Sequence, residues 1–284
     1  MEFTKVGTMQ LALLSTGAVL FIVAPLMMAI VWVVKKKEKI STILTGAATF
    51  LLFALILEKP IQNVLVFPAL MGLPYHGAAK FLDAHPVLWA LVVGLFPGVF
   101  EETGRLVAYK TVLRKRKNRE TSISHGIGHG GFEVMCILGI TYITYIAYAF
   151  MINSGTYGTL IEQAQLQSPD SVAQGYAVAE QLVVFSFGDL LLNTVERIFA
   201  VLYHIGASIL VFYACKDKKR FWLYPLAILI HTAMDAFAGL TLAGVLVIPA
   251  WALEVFVAIV GSLTFFGAYF LLYKKDTDKE EDKA

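Results

Sequence analysis

The stretch that decides the fold is Met9–Val34, MQLALLSTGAVLFIVAPLMMAIVWVV, which has no charged residue and is followed at once by KKKEK at 35–39. A helix that crosses the hydrocarbon layer of a bilayer needs about 20 predominantly apolar residues. The stretch meets this length, is too long for the core of a signal peptide and lacks a small-residue cleavage site. We therefore expect it to be a membrane-spanning helix.

The same pattern of long apolar runs separated by charged clusters continues along the chain. The 284 residues are 58% hydrophobic and 15% charged, whereas a soluble domain is about 25% charged. This composition argues against a soluble enzyme, and two cysteines argue against a disulfide-stapled fold or a cysteine-rich zinc module. We predict an all-α fold, a polytopic membrane helix bundle of seven spans. The predicted spans are Met9–Val34, Ile40–Leu57, Pro86–Leu113, Ile123–Ile152, Gln181–Ala214, Phe221–Leu240 and Trp251–Tyr273.

The basic residues indicate the orientation of the bundle. They concentrate in alternate loops, at 35–39, 114–119 and 216–220, and in the tail from Lys274. By the positive-inside rule these segments are cytoplasmic, which places the N-terminus outside and the C-terminus inside a bacterial plasma membrane. The basic clusters are explained by this topology and by anionic lipid. The lipid bilayer is therefore an expected partner, and nucleic acid is not.

Domain organisation follows from the same pattern. We expect one transmembrane helical domain over residues 1–273, with its motif-bearing core at about 86–240, and a disordered cytoplasmic tail over 274–284. The apolar segment Ile61–Tyr75 contains Pro68 and Pro74, which favour an interfacial or re-entrant piece. The stretch 153–180 is rich in Gln, Ser and Gly and is expected to be an outer loop.

Ionisable residues lie inside the predicted spans, where a charge costs on the order of 3 kcal/mol and therefore indicates function. They fall in EETGR (101–105), HGIGHGGFE (125–133), ERIFAVLYH (196–204) and HTAMD (231–235). Counted at 1.5 Å per residue from the nearest basic cluster, five of them lie roughly 15–20 Å from the cytoplasmic boundary. A common depth predicts one polar cavity between four helices. The five are Glu101, Glu102, His129, His204 and His231.

Two chemistries fit such a cavity. Histidines with a carboxylate can bind a divalent metal such as zinc, which activates a water molecule. Without a metal, Glu101 or Glu102 could activate the water while His231 or His204 stabilises the developing oxyanion. Both routes lead to hydrolysis of an amide within the membrane, and the sequence leaves the choice open.

Other interpretations of the same residues also stay open. Glu101, Glu102 and Arg105 could form a structural ion pair, and His129 with Glu133 could serve helix packing. A transporter or channel could use the acids and histidines as a proton or cation relay. A non-catalytic immunity or regulatory protein could retain the scaffold. We expect His125 to be peripheral to the site and Arg197 to pair with Asp189 or Glu196.

The motifs resemble those of known membrane proteases. EETGR, the histidine of ERIFAVLYHIGAS and HTAMD are similar to the Glu-Glu-x-x-Arg, His and His-x-x-x-Asn/Asp motifs of CAAX-prenyl proteases and bacteriocin-processing membrane enzymes. HGIGHGGFE (125–133) and Arg197, which lies seven residues before His204, resemble the PrsW-like branch and, most of all, the YhfC-type branch. The resemblance covers roughly Phe96 to Ala238, and the third motif ends in Asp235 rather than Asn.

This resemblance implies an intramembrane peptidase that acts on a membrane-associated peptide or protein. It implies Glu101 or Glu102 as the water-activating base. It also implies that histidines and acids on the other helices serve as metal ligands, oxyanion donors or orienting groups. The implied catalytic residues are Glu101, Glu102, Arg105, His204, His231 and Asp235, and the implied metal ligands are His129, Glu133, His204 and His231.

Overall fold

The structure, a computed structural model, describes residues 3–165 and 170–276. Within these residues the regular secondary structure is helical and no strand occurs, which confirms the predicted all-α class. Among the described residues, seven helices are long and apolar enough to cross a membrane, as predicted. They are α1 (Thr8–Lys36), α2 (Ile40–Val66), α3 (Pro86–Lys110), α4 (Glu120–Ser154), α5 (Phe187–Lys216), α6 (Lys218–Leu242) and α7 (Ala250–Tyr273).

Helix α2 is longer than predicted. It continues from the expected end at Leu57 to Val66, so residues 61–66 belong to this helix and not to a separate interfacial piece. The short turn Pro68–Met71 and the short helix Gly77–Asp83 follow before α3. The middle of α2, Phe50–Glu58, is π-helical, and regular α-helix resumes at Lys59. Pro60 therefore stands in the first turn of the resumed helix, where its missing N–H costs little. A proline at this position does not end the span.

The start of α5 also differs from the prediction. The predicted span began at Gln181, but a separate helix, Asp170–Val184, ends before α5 begins. The Ser186 N–H donates to Asp189 Oδ2 at 2.8 Å, and the Asp189 N–H donates to Ser186 Oγ at 3.3 Å. This reciprocal capping fixes a helix start after Ser186.

The stretch 153–180, expected to be an outer loop, contains the helix Tyr157–Gln165 and part of the helix Asp170–Val184. The predicted tail falls mostly on residues 277–284, which lie outside the described part of the chain.

The described residues form two compact units. The first comprises the chain up to Ala24 together with Val134–Thr194. In it, the buried ring of Tyr142 packs edge-on against Phe21, and its hydroxyl accepts a hydrogen bond of 2.9 Å from Asn193 Nδ2. The second unit comprises Pro25–Glu133 and the chain from Val195 onward, and it contains every residue of the predicted site.

The second unit has an apolar core at the helix ends that carry the basic clusters. Its members come from α2 to α7, and α5 supplies the largest share. The core includes the buried residues Ile43, Tyr109, Ile127, Ile209, Val211, Leu223 and Ala268.

Glycines allow the helices of the second unit to approach closely. A Cβ at Gly98 of α3 would overlap Thr232 of α6, and a Cβ at Gly128 of α4 would overlap the carbonyl of Ile43 in α2. Small residues at such crossings let helix backbones pack directly against each other. The side chains one turn away, including Glu102 beside Gly98, are therefore brought within reach of polar groups on the neighbouring helices.

Candidate metal centre

Glu101 and Glu102 are adjacent on α3 but face different helices. Glu101 Oε2 lies 2.9 Å from Nε2 of His129 on α4, whereas Glu102 Oε1 lies 2.9 Å from Nδ1 of His231 on α6. Successive residues of an α-helix point about 100° apart, which accounts for the divergence. The glutamate pair therefore belongs to two neighbouring groups of side chains.

The first group is a cluster of two carboxylates and two imidazoles. Glu101, His129, Glu133 and His204 each offer one ligand atom, and these atoms all lie within 4.8 Å of one another. His204 Nε2 contacts Glu133 Oε2, and His204 Nδ1 lies 4.0 Å from Glu101 Oε2. All four residues are buried. We call Glu101, His129, Glu133 and His204 the four-ligand cluster.

Arg105 connects this cluster to the second group. It is fully buried, and its Nη1 donates to Glu102 Oε1 at 2.6 Å while its Nη2 donates to His204 Nδ1 at 2.7 Å. A guanidinium can only donate hydrogen bonds, so Nδ1 of His204 carries a lone pair. A neutral ring then bears its proton on Nε2, facing Glu133. His204 can therefore ligate a cation only after one of these two contacts is exchanged.

The second group contains His231 and Asp235. His231 hydrogen-bonds to Glu102 through Nδ1, and its Nε2 lies 3.5 Å from Asp235 Oδ2. The Asp235 side chain is 35% exposed, while those of Glu102 and His231 are at most 3% exposed, so Asp235 is the accessible end of this group. The sequence-based ligand set included His231, but Glu101 takes its place in the four-ligand cluster.

His125 lies outside the four-ligand cluster, as expected, but it is fully buried beside it. Thr49 Oγ1 uses its proton on a carbonyl of its own helix, so it accepts from His125 Nε2 at 3.2 Å. His125 Nδ1 must then accept from Ser208 Oγ at 3.2 Å, and Ser208 Oγ in turn accepts from Arg105 Nε at 3.3 Å. Both ring nitrogens are occupied. His125 thus supports Arg105 and has no nitrogen free for a ligand.

Two further acid–base pairs adjoin the site. Arg197 contacts Glu196, which was one of the two partners expected from the sequence. Its Nη1 also donates to Glu133 Oε1 at 3.1 Å. Glu58 of α2 is fully buried, with Oε1 3.1 Å from Lys59 Nζ.

Sequence reasoning missed Glu58 because the charged pair at 58–59 resembles the end of a span. Tyr203, adjacent to His204, was also missed because tyrosine is common in helix packing.

The donor set and its charge fit a divalent cation. Imidazole nitrogen and carboxylate oxygen are the donors that zinc takes in catalytic sites. Four carboxylates of this region, those of Glu101, Glu102, Glu133 and Glu196, face the two guanidinium groups of Arg105 and Arg197. Fully ionised, these six groups carry two negative charges in excess, and buried charge without a partner is costly. A bound divalent cation would balance this excess.

Fold and site together define an integral membrane protein with a buried carboxylate–imidazole centre. The chain belongs to the YhfC intramembrane metalloprotease family, whose model matches residues 19–257. It is 31% identical over 238 residues to the "Uncharacterized membrane protein YhfC" of Bacillus subtilis (strain 168), a match that covers 84% of this chain and 87% of the relative. No solved structure gives a significant match.

The family assignment confirms the resemblance found in the motifs and supports a membrane protease in general. With seven apolar helices and a bacterial relative that is a membrane protein, the chain is a multi-pass membrane protein.

Proposed function

We propose that the chain is a metal-dependent intramembrane peptidase that hydrolyses a peptide bond of a membrane-associated peptide or protein, with zinc as its ion. The observation that carries the proposal is the four-ligand cluster, in which carboxylate and imidazole atoms from three helices lie within 4.8 Å of one another. These residues are buried inside membrane-crossing helices, where unpaired acids would be costly. Packing alone gives no reason to gather them.

The four-ligand cluster and the residues beside it have different roles in this proposal. Glu101, His129, Glu133 and His204 would hold the ion, and a bound Zn²⁺ supplies a Lewis acid that lowers the pKa of a water molecule toward 7. Arg105 fixes both Glu102 and His204 through charge-assisted hydrogen bonds of 2.6 and 2.7 Å. Arg105 is accordingly a positioning residue in this proposal.

Glu102 is the proposed general base. Its Oε1 accepts from Arg105 and lies against His231, whereas its Oε2 is buried and has no hydrogen-bond partner among the described residues. Oε2 can therefore take a proton from the attacking water. The water oxygen forms the new bond to the carbonyl carbon, the C–N bond breaks, and the amine nitrogen receives a proton. His231, between Glu102 and the partly exposed Asp235, is placed to carry that proton.

The test is cleavage by the full chain reconstituted in lipid nanodiscs with zinc. A library of membrane-associated peptides is incubated with the wild type, and mass spectrometry detects new termini. We expect Glu101→Gln, Glu102→Gln and His129→Ala to reduce turnover at least 100-fold, within the range for loss of a general base or a metal ligand. Glu254→Gln, an acid of α7 outside the four-ligand cluster, is the matched control and should retain activity.

Other outcomes separate the remaining candidates. Wild-type cleavage that survives complete metal removal would support glutamate-activated water without a metal. Proton or cation flux in proteoliposomes that depends on Glu101, with no cleavage of any peptide, would support a transporter. If all three variants cleave like the wild type, the proposal fails.

A further inference from the structure

Tyr203 is a buried tyrosine at the site whose hydroxyl has no role in the arrangement described above. The side chain is fully buried, and its hydroxyl has no hydrogen-bond partner among the described residues. Buried hydroxyl groups are normally paired, because leaving one unpaired forfeits its hydration. An unpaired hydroxyl in a native site therefore needs an explanation.

The ring of Tyr203 lies against two histidines of the site. The Tyr203 ring lies 5.0 Å from the ring of His231 and 5.3 Å from that of His204, measured between centroids. His231 in turn contacts Glu102 and Asp235, and His204 contacts Arg105 and Glu133. Tyr203 also packs in an apolar cluster with Ala207, Met234 and Val257, which holds the ring and excludes water.

The histidine nitrogens of the site face other groups or lack a proton to donate. His231 uses Nδ1 on Glu102 and has Nε2 3.5 Å from Asp235, and His204 uses its two nitrogens on Arg105 and Glu133. Nδ1 of His129 has no hydrogen-bond partner among the described residues, but a neutral His129 that donates from Nε2 to Glu101 carries a lone pair on Nδ1 and cannot donate there. Thr232 also has an unpaired hydroxyl, but its oxygen lies against Gly98 in the contact between α3 and α6. Tyr203 is therefore the side chain that keeps a donor for an incoming acceptor.

We propose that the Tyr203 hydroxyl donates a hydrogen bond to the carbonyl oxygen of the scissile peptide and to the oxyanion that forms there. The inference rests on the proposed peptidase function. A fixed donor in apolar surroundings stabilises charge that develops on an oxygen, because it needs no reorganisation during the reaction. The hydroxyl keeps its proton throughout, and no bond to it forms or breaks. Tyr203 would thus be a catalytic residue that touches the substrate.

The test is Tyr203→Phe, which removes only the hydroxyl. We expect kcat on the best library peptide to fall about 100-fold, in the range for loss of one oxyanion donor, with KM changed less than about threefold. A phosphonate analogue of that peptide should bind more weakly by a similar factor. Zinc content and the thermal midpoint should not decrease, because the hydroxyl has no partner to lose.

Tyr142→Phe is the matched control. Tyr142 is equally buried, but its hydroxyl is bonded to Asn193, so its removal should lower the thermal midpoint and leave kcat unchanged. The inference is overturned if Tyr203→Phe keeps full kcat, if it raises KM alone, or if it lowers the midpoint as Tyr142→Phe does. Glu101→Gln, measured in parallel, separates the role of Tyr203 from the proposed peptidase function. If Glu101→Gln is inactive while Tyr203→Phe keeps full activity, the peptidase proposal stands and only the role of Tyr203 is refuted.

Discussion

Arg105 should be the side chain on which the stability of the site depends most. Both it and Glu102 are fully buried, and their charged groups lie 2.6 Å apart. Replacing Arg105 with Met removes the guanidinium at similar volume and leaves the Glu102 carboxylate without its cation. It also removes the hydrogen bonds to His204 and Ser208.

The expected magnitude follows from these contacts. Breaking a buried ion pair by removing one partner costs about 3–5 kcal/mol, mainly because the remaining charge stays buried. We therefore expect Arg105→Met to lower the free energy of unfolding by about 4 kcal/mol. In the double variant with Glu102→Gln the orphaned charge is gone, so the loss should be smaller than the sum of the two single losses by about 2 kcal/mol.

Unfolding by SDS in mixed detergent micelles, followed by circular dichroism, measures these differences. The control is Arg220→Met, which removes an arginine paired with Asp217 at 3.5 Å, where both side chains are more than 40% exposed. Exposed pairs contribute less than about 1 kcal/mol, so this variant should unfold nearly like the wild type. Additive losses in the double variant would refute the reasoning, because they would mean that the two charges do not depend on each other.

Three further predictions follow from the structure. Zinc at 100 times its Kd should stabilise metal-free protein by about 2.7 kcal/mol in thermal unfolding, and Glu133→Gln should abolish this gain; an undiminished gain would place the ion elsewhere. Gly128→Ala should lower the free energy of unfolding by about 2 kcal/mol through overlap with α2, whereas Gly267→Ala, with open space at its Cβ, should not. For the expected orientation, a single cysteine at Ser154 should react with an impermeant reagent outside intact cells, and one at Lys218 only after permeabilisation; the reverse pattern would invert the topology.

The number and approximate position of the spans could be predicted because the signal is local. A run of about 20 apolar residues in lipid forms a helix, because a helix hydrogen-bonds every backbone N–H and C=O group within the run. Helices α1 and α7 accordingly end close to where composition places them. The failures lie where a local signal was ambiguous. Pro60 suggests the end of a span but is tolerated where α-helix resumes after a π-helical segment, and the break before α5 depends on the caps of Ser186 and Asp189.

Counting residues from the basic clusters predicted that polar residues of four helices lie near one another, and in the structure these side chains are in contact. Depth follows from residue counts along each helix, so Glu101, His129, His204 and His231 were placed at one level. The direction in which each side chain points around its helix depends on packing, which residue counts do not contain. Thus residue counts could not predict that His231 bonds to Glu102, or that Thr49 and Ser208 enclose His125.

The glutamate pair shows why this second kind of information decides the mechanism. By sequence, Glu101 and Glu102 are equivalent candidates for the base. In the structure Glu101 faces His129 and belongs to the four-ligand cluster, while Glu102 is held by Arg105 and His231 with one oxygen unpaired. Loss of a ligand and loss of a base have different consequences: Glu101→Gln should lower zinc affinity and turnover together, whereas Glu102→Gln should abolish turnover with zinc still bound. Equal zinc affinity in both variants would mean that the two carboxylates do not have the separate roles of metal ligand and general base that their contacts indicate.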